Sequence, residues 1–314
     1  MVNIRDIAHH AGVSVSTVSR VLNDYPYVSN DKRERVLQAM DTLHYIPSQL
    51  AVNLSRGRSR TIACVIPYIA NPYYAKLLAG AIKEASQSHH HIVVIETSYN
   101  EEEEMKALEM LRHRSVDGVI FTTRQLSLTR ITDYLNDGSI ILMEKNDITR
   151  YVYIDQQRAL QQALNHLIEK GYKQIGYTLH RKHGFSATER RKAYETIPDC
   201  YRADEYIYTG GLSARAGVKL AETIWGGSIV PDALIVTNDE VSAGLYAELL
   251  RMGIKVPEQL ALVSYENGEL AQVHDLTSID LPLEEMGAEA VRMILEPVRP
   301  SNEIPFTLIE RSST

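Results

Sequence analysis

Two different spacings of apolar residues divide the chain. Over the first 46 residues the apolar positions repeat at three and four. Ile4, Ile7, Ala8 and Ala11 form one stripe, Val18, Val21 and Leu22 a second, and Val36, Leu37, Met40 and Leu43 a third. That spacing predicts three short amphipathic helices packed on one another. From Thr61 onward short apolar runs replace the stripes. The pattern predicts strands at Thr61–Pro67, His91–Ser98, Asp117–Thr122, Ser139–Met143, Tyr151–Ile154, Gln174–Leu179, Tyr206–Tyr208, Ala233–Val236 and Leu260–Tyr265. Helical stretches such as Tyr73–Ser88, Glu101–Arg114 and Gln156–Lys170 separate them. Continuous apolar runs alternating with helices are the mark of parallel sheets covered on both faces. Some ten strands are too many for one ordinary sheet, so two successive lobes are expected. Chain crossings between them are read near Asp155–Gln161, Asp280–Leu283 and Glu296–Pro305.

Between head and body, Pro47, Ser48, Ser55, Arg56, Gly57, Arg58 and Ser59 have the composition of a linker. The expected division is a head over 1–46, a linker over 47–58, a first lobe over 59–155 plus 283–296, and a second over 156–282 plus 304–314. At 314 residues the chain has room for this arrangement.

Local chemistry sharpens the head. Asn3 and Asp6 have capping-box spacing, Gly12 suits a tight turn, and Ser14 and Ser29 stand where the next two helices begin. The second helix shows Val15, Ser16, Thr17, Ser19 and Arg20 on its outer face. Small residues, hydroxyls and a guanidinium suit close approach to base edges and phosphates. A helix–glycine turn–small polar helix followed by a basic linker points to a helix-turn-helix.

Charge agrees once it is located. The whole chain carries −7, but residues 1–60 carry +3 and the remainder −10. A basic head on an acidic body is a nucleic-acid signature where the net value is not. Hydrophobic residues make up 44% and charged residues 23%, and no apolar stretch approaches the length of a membrane span. The chain opens Met1-Val2-Asn3-Ile4-Arg5-Asp6 without an apolar leader, so a cytoplasmic location is expected. Cys64 and Cys200 have neither metal nor redox spacing. His89-His90-His91 point in different directions, and Glu101–Glu104 fit a helix first turn rather than a catalytic dyad. No phosphate-binding lysine loop, dinucleotide fingerprint, nucleophile elbow or zinc-protease motif occurs. No metal or cofactor is expected, and an enzyme or a solute-binding protein built on the α/β core is the rival class.

Asp6-Ile7-Ala8, Ala11-Gly12-Val13-Ser14, Thr17-Val18-Ser19-Arg20-Val21-Leu22-Asn23 and Tyr45-Ile46-Pro47 resemble the head of the LacI/GalR family of bacterial transcriptional regulators. In the body, Asp117-Gly118-Val119-Ile120, Thr237-Asn238-Asp239, Gly253-Ile254-Lys255-Val256-Pro257 and Leu308-Ile309-Glu310-Arg311-Ser312 fit the same family. The resemblance implies a helix-turn-helix head on a periplasmic-binding-protein-like core of two doubly wound lobes. It implies that Val15–Asn23 is the recognition segment. Val15 and Ser16 then touch bases, Arg20 a base or a phosphate, and Thr17, Ser19 and Asn23 phosphates. Ser48–Ser55 would be a hinge helix folding only when two protomers pair on the operator. Leu54 would be its minor-groove wedge, and Arg56, Arg58 and Arg60 would neutralise nearby phosphates.

The implied partners are double-stranded operator DNA, a second copy of the chain and a small-molecule effector, a sugar or related metabolite, between the lobes. Some members of the family answer instead to a phosphorylated phosphotransfer protein. No heptad extension follows Thr314, so the resemblance implies a dimer. Expected cleft residues are Asn71, Tyr73, Tyr74, Arg190, Asp239 and Glu266. Four alternatives stay open. Tyr73 lines the cleft or packs in the body, Arg190 competes with Arg191, and Asp239 binds ligand or serves helix capping. Glu266 stands where the family has a shorter aspartate, and it either reaches a ligand or fills the cleft.

Overall fold

The computed structural model describes residues 2–23, 25–45 and 58–314. The expected hinge helix, with Leu54 and Arg56, lies outside the described residues.

Three helices form the head: α1 (Ile4–Ala11), α2 (Val15–Leu22) and α3 (Asn30–Thr42). Ile7, Ala8, Ala11, Val18, Val21, Val36 and Ala39 make its core. Leu37, expected inside, is 52% exposed. The α3 stripe is rotated so that Val36 and Ala39 face inward and the longer leucine does not. Ser29 takes the N-cap position of α3, but its side chain makes no capping bond. Here the backbone conformation marks the helix start without help from the hydroxyl.

The body holds two sheets. The first runs β2-β1-β3-β4, all parallel, from β1 (Thr61–Ile66), β2 (His91–Glu96), β3 (Gly118–Phe121) and β4 (Ser139–Leu142). The connections carry α4 (Pro72–Gln87), α5 (Glu101–Arg112) and α6 (Leu128–Thr132). The central strands are buried along their length, whereas edge strand β2 alternates in exposure. That contrast is what one unpaired edge and two covered faces require.

After β5 (Val152–Tyr153) the chain enters α7 (Gln156–Glu169) and the second sheet. Its elements are β6 (Ile175–Leu179), α8 (Phe185–Glu195), β7 (Ile207–Thr209), α9 (Ala214–Gly226), β8 (Ala233–Ile235), α10 (Asp239–Arg251), β9 (Ala261–Glu266), α11 (Glu269–Val273) and β10 (Thr277–Asp280). α12 (Leu283–Leu295) then returns to pack on α4 and the first sheet. β11 (Asn302–Glu303) pairs with β5, and β12 (Thr307–Ile309) closes the second sheet antiparallel to β10. The second sheet therefore runs β12-β10-β9-β8-β6-β7.

Two glycine pairs bring helices into backbone contact. A Cβ on Gly80 of α4 would stand 1.8 Å from the Glu284 carbonyl oxygen, and one on Gly287 of α12 would stand 2.0 Å from that of Leu77. Gly217 and Gly244 join α9 to α10 in the same way. Asp117, just before β3, fastens the entry to the body. Its carboxylate accepts from the backbone N–H groups of Ser59 at 2.6 Å and Arg60 at 2.8 Å. Among the described residues no helix is long and apolar enough to cross a membrane.

Candidate functional sites in the head and the cleft

In the head, the Asn3 side chain accepts from Arg5 and Asp6 backbone N–H groups, and Asp6 accepts from that of Asn3 at 2.8 Å. Gly12 turns the chain with φ +63, and the Arg35 guanidinium braces the turn by donating to the Ala11 carbonyl at 2.6 Å. Ser14 caps α2 by accepting from the Thr17 N–H. These bonds set a short helix whose first turn faces outward.

On that face Val15, Ser16 and Arg20 are exposed, whereas Thr17 and Ser19 are half-buried. The hydroxyls of Ser16 and Thr17 both lie within hydrogen-bond distance of the Ser14 hydroxyl. Asn23 lies one residue past the helix and donates from its amide to the Ser19 carbonyl at 2.9 Å. Beside α2 stands an exposed aromatic pair that the spacing of apolar residues did not single out. Tyr25 and Tyr27 meet edge to face at 6.2 Å, and the Arg20 guanidinium lies 6.0 Å from the Tyr25 ring centre. Arg58 is exposed where the described body begins.

The C-terminal ends of strands from both sheets converge on a cavity of about 200 Å³. Open α/β sheets bind ligands at this end of their strands. From the first sheet come Tyr99 after β2, Thr122–Gln125 after β3, Met143 and Glu144 after β4, and Asn71, Tyr73 and Tyr74 at the start of α4. From the second come His180 and Arg181 after β6, the first residues of α8, Arg190, Thr237 and Asn238 after β8, and Tyr265 and Glu266 at the end of β9. Gln156 joins from the start of α7.

Five of the six expected cleft residues are brought together. Asn71 lines the cavity but also caps α4, accepting from the Tyr73 N–H at 3.0 Å. Tyr73 is half-buried and meets buried Tyr74 edge to face at 5.0 Å. Burial holds both phenols well above the ordinary tyrosine range, so both stay neutral. Arg190 is buried on α8, while its neighbour Arg191 is exposed and outside the lining.

Asp239 is not brought to the cavity. It is almost fully buried behind the lining, where its carboxylate accepts from the Ser264 hydroxyl and the Gly268 N–H, both at 2.5 Å. Burial raises its pKa, and those two donors oppose the rise. Asn238 rather than Asp239 caps α10, accepting from the Val241 N–H at 3.0 Å.

Other lining residues carried no motif. Arg124 pairs with Glu144 at 2.5 Å inside the cleft and donates to the Leu126 carbonyl at 2.6 Å. Arg181 crosses between the sheets, donating to Gln125 Oε1 at 2.7 Å and lying 4.1 Å from the Tyr99 ring centre. Fully buried Glu104 holds the loop beneath them by accepting from the N–H groups of Gln125 at 2.8 Å and Leu126 at 2.9 Å. The one signal that reaches these residues is their place just after predicted strands.

The cavity walls leave some polar atoms without partners among the described residues. Buried Arg190 Nε and the Tyr265 hydroxyl make no hydrogen bond. The rest of the Arg190 guanidinium donates to Thr237 Oγ1 at 3.2 Å and Gln156 Oε1 at 3.4 Å. Buried donors are nearly always satisfied in folded proteins, so these enclosed, unpaired atoms set the two lining residues apart.

Comparison with known proteins matches both the head and the body. Residues 3–48 match the model of the lacI family of bacterial regulatory proteins. Residues 59–311 match that of the periplasmic binding proteins and sugar binding domain of the LacI family. The HTH-type transcriptional regulator YkvZ of Bacillus subtilis (strain 168) is 38% identical, with all of both chains covered. Catabolite control protein B of the same organism is 33% identical, covering 94% of this chain and 95% of the relative. Among solved structures, the lac repressor dimer bound to operator and the anti-inducer ONPF superposes with a TM-score of 0.83 at 24% identity, covering 99% of this chain and 98% of that one. That last likeness bears on the fold alone. With both parts matched in order and full-length relatives above 30% identity, the chain belongs to the LacI family of bacterial transcriptional regulators, joining a helix-turn-helix DNA-binding head to an effector-binding core.

Proposed function

We propose that this regulator binds a pseudo-palindromic operator as a homodimer, and that a small polar molecule, a sugar or related metabolite, sets its operator affinity from the inter-lobe cleft. The observation that carries the reading is the cavity of about 200 Å³ lined from both sheets, with the buried guanidinium of Arg190 among its lining residues. Both sheets supply lining residues, so a bound molecule with polar groups on two sides favours one lobe angle over another. A ligand shifts such an equilibrium only by its differential affinity for the two states.

In this reading Val15, Ser16 and Arg20 meet base edges and phosphates, with Thr17, Ser19 and Asn23 on the backbone. Leu54 wedges the minor groove, and Arg56 and Arg58 neutralise flanking phosphates. Tyr73, Tyr74, Arg190 and Glu266 meet the effector, with Asn71 shaping the loop. Asp239 acts from behind by holding Gly268 and Ser264. The working division is a head over 1–46, a hinge over 47–58, a lobe over 59–155 plus 283–296, and a lobe over 156–282 plus 304–314. The protein regulates and does not catalyse.

Fluorescence anisotropy with a palindromic and a scrambled duplex tests the first part. A preference for the palindrome that changes when a small molecule is titrated supports the reading, and equal affinity for both duplexes overturns it. The 33% identity to catabolite control protein B favours a second reading, in which a protein docked on the core replaces the small molecule. The same titration with a phosphorylated phosphotransfer protein separates the two.

A further inference from the structure

Among the described residues, the acid at one end of the cleft makes no ion pair, and the cations near it act only through space. Glu266 closes β9 with φ +97 and Asn267 follows at φ +51. The turn is fixed from behind. The Asn267 N–H donates to Ser278 Oγ at 3.1 Å, its amide donates to Asp280 Oδ1 at 3.1 Å, and Arg311 donates to Asn267 Oδ1 at 2.6 Å. The Glu266 side chain thereby lines the cavity with only 6% of the residue exposed.

Among the described residues no hydrogen bond or ion pair reaches the Glu266 carboxylate. Its neighbours show what compensation looks like in this fold. Glu144, on the opposite wall, is paired with Arg124 at 2.5 Å. Asp239 is held by a hydroxyl and a backbone N–H. Glu266 has neither, and the carboxylates of Asp239 and Glu240 repel it, while Lys76 and Arg190 attract it only through space. Burial first, and those two acids next, hold its pKa well above the ordinary carboxylate value of 4.5.

A buried acid without a partner is costly, because its charge is left uncompensated away from water. Burial disfavours the ionised form of Glu266, and a neutral sugar hydroxyl offers one donor and no charge to restore it. An ammonium offers three donors and the positive charge that stabilises the carboxylate. Arg190 lines the same cavity, and its guanidinium, held by Thr237 Oγ1 at 3.2 Å and Gln156 Oε1 at 3.4 Å, offers N–H donors suited to a hydroxyl oxygen. The two groups ask for opposite chemistry on one small molecule.

We propose that the effector is an amine-bearing polyol, an amino sugar by chemical class, whose ammonium sits on Glu266 while a hydroxyl accepts from Arg190. This rests on the reading of the cleft as the effector site. Tyr73 lines the same cavity and lies near enough to interact with both Glu266 and Arg190, so its ring would pack on the sugar carbons.

The test is thermal unfolding of the full chain in phosphate buffer with matched probes. D-glucosamine is set against D-glucose and N-acetyl-D-glucosamine, and Tris against its amine-free analogue 1,1,1-tris(hydroxymethyl)ethane. The expected result is a dose-dependent rise in melting temperature with the amines and little or none with the neutral partners. Glu266→Gln should weaken the apparent amine affinity by about tenfold or more, as loss of a buried charge pair requires. Equal responses to amine and neutral probes, no response to either amine, or full retention in Glu266→Gln overturns the proposal. The comparison on the unsubstituted chain decides the matter even where the variant folds poorly. A neutral-sugar response abolished by Arg190→Ala would place the failure in the amine and leave the cleft standing. A response unchanged in both variants would overturn cleft and amine together.

Discussion

The Arg190 guanidinium carbon lies 4.2 Å from the ring centre of Tyr265, and its Nε faces no hydrogen-bond partner. The ring holds the planar cation while Thr237 and Gln156 take its other nitrogens. One donor is thereby left unpaired within a lining residue of the cavity. Arg190→Lys loses the stacked, forked geometry and keeps the charge. The ratio of operator affinities with and without effector should fall toward one in Arg190→Ala and, less completely, in Arg190→Lys. Anisotropy titration measures it, and an unchanged effector midpoint in both would remove Arg190 from the site.

Glu266 gives stability a defined pH dependence. Its folded pKa is raised, so above the unfolded value of 4.5 the folded state binds more protons than the unfolded state does. Stability therefore falls as pH rises from 4.5 toward the folded pKa. Glu266→Gln removes this contribution. The variant should melt above the unsubstituted protein by about 2–4 °C at neutral pH, with the gap closing as pH approaches 4.5. Melting curves across that range check it, and a gap that widens toward acid has the wrong sign.

Glu104 ties α5 to the loop that carries Arg124 and Gln125. Replacing it with alanine strands the N–H groups of Gln125 and Leu126 in a buried position. The expected cost is about 2–4 kcal/mol, from two donors left unmade. Glu104→Gln keeps one acceptor oxygen and should cost less. Urea denaturation midpoints of the two variants give the comparison.

Gly244 and Gly80 are predicted to reject even alanine. The new Cβ would stand 1.9 Å from the Ala214 carbonyl oxygen in one case and 1.8 Å from that of Glu284 in the other. Both contacts are with backbone, so the helices must separate. Overpacking of this kind costs about 3 kcal/mol or more. Gly171, with no atom within 4 Å of its Cβ position, makes a control for crowding, although its φ of +99 adds strain of its own. A loss at Gly244 no greater than at Gly171 would contradict the prediction.

In the DNA-binding part, Leu54→Ala should weaken binding to the operator more than to random duplex, because a wedge acts through the kink it permits. Arg58→Ala should weaken both and reduce the slope of log affinity against log salt by about one. Titrations on two duplexes at several salt concentrations read both effects. Equal losses on the two duplexes for Leu54→Ala would remove its wedging role.

Local signals made much of this protein legible. Asn3 with Asp6, Gly12 and Ser14 set the head because each acts within four residues of itself, and capping and turn formation are short-range. The apolar runs from Thr61 onward announced buried parallel strands for the same reason. Strand order was not written in them, because it depends on contacts between segments far apart in the chain, whereas the crossing near Asp280–Leu283 that takes α12 to the first sheet was expected. Leu37 satisfied the helical spacing and still faced outward, since the rotation of α3 is decided by what it packs against.

The candidate site divides along the same line. The sequence by itself determined that a DNA-reading head precedes a two-lobed α/β body, and that Asn71, Tyr73, Tyr74, Arg190 and Glu266 were worth watching. Only the tertiary structure decided between Arg190 and Arg191, one residue and about 100° apart on a helix. It also turned Asp239 behind the cavity wall, set Glu104 beneath the cleft, and left Glu266 lining the cavity without an ion pair among the described residues. Burial and partnership are properties of the assembled chain. A carboxylate's chemistry is fixed by what surrounds it, and the residues around Glu266 come from α4, α8 and α10 as well as from its own strand.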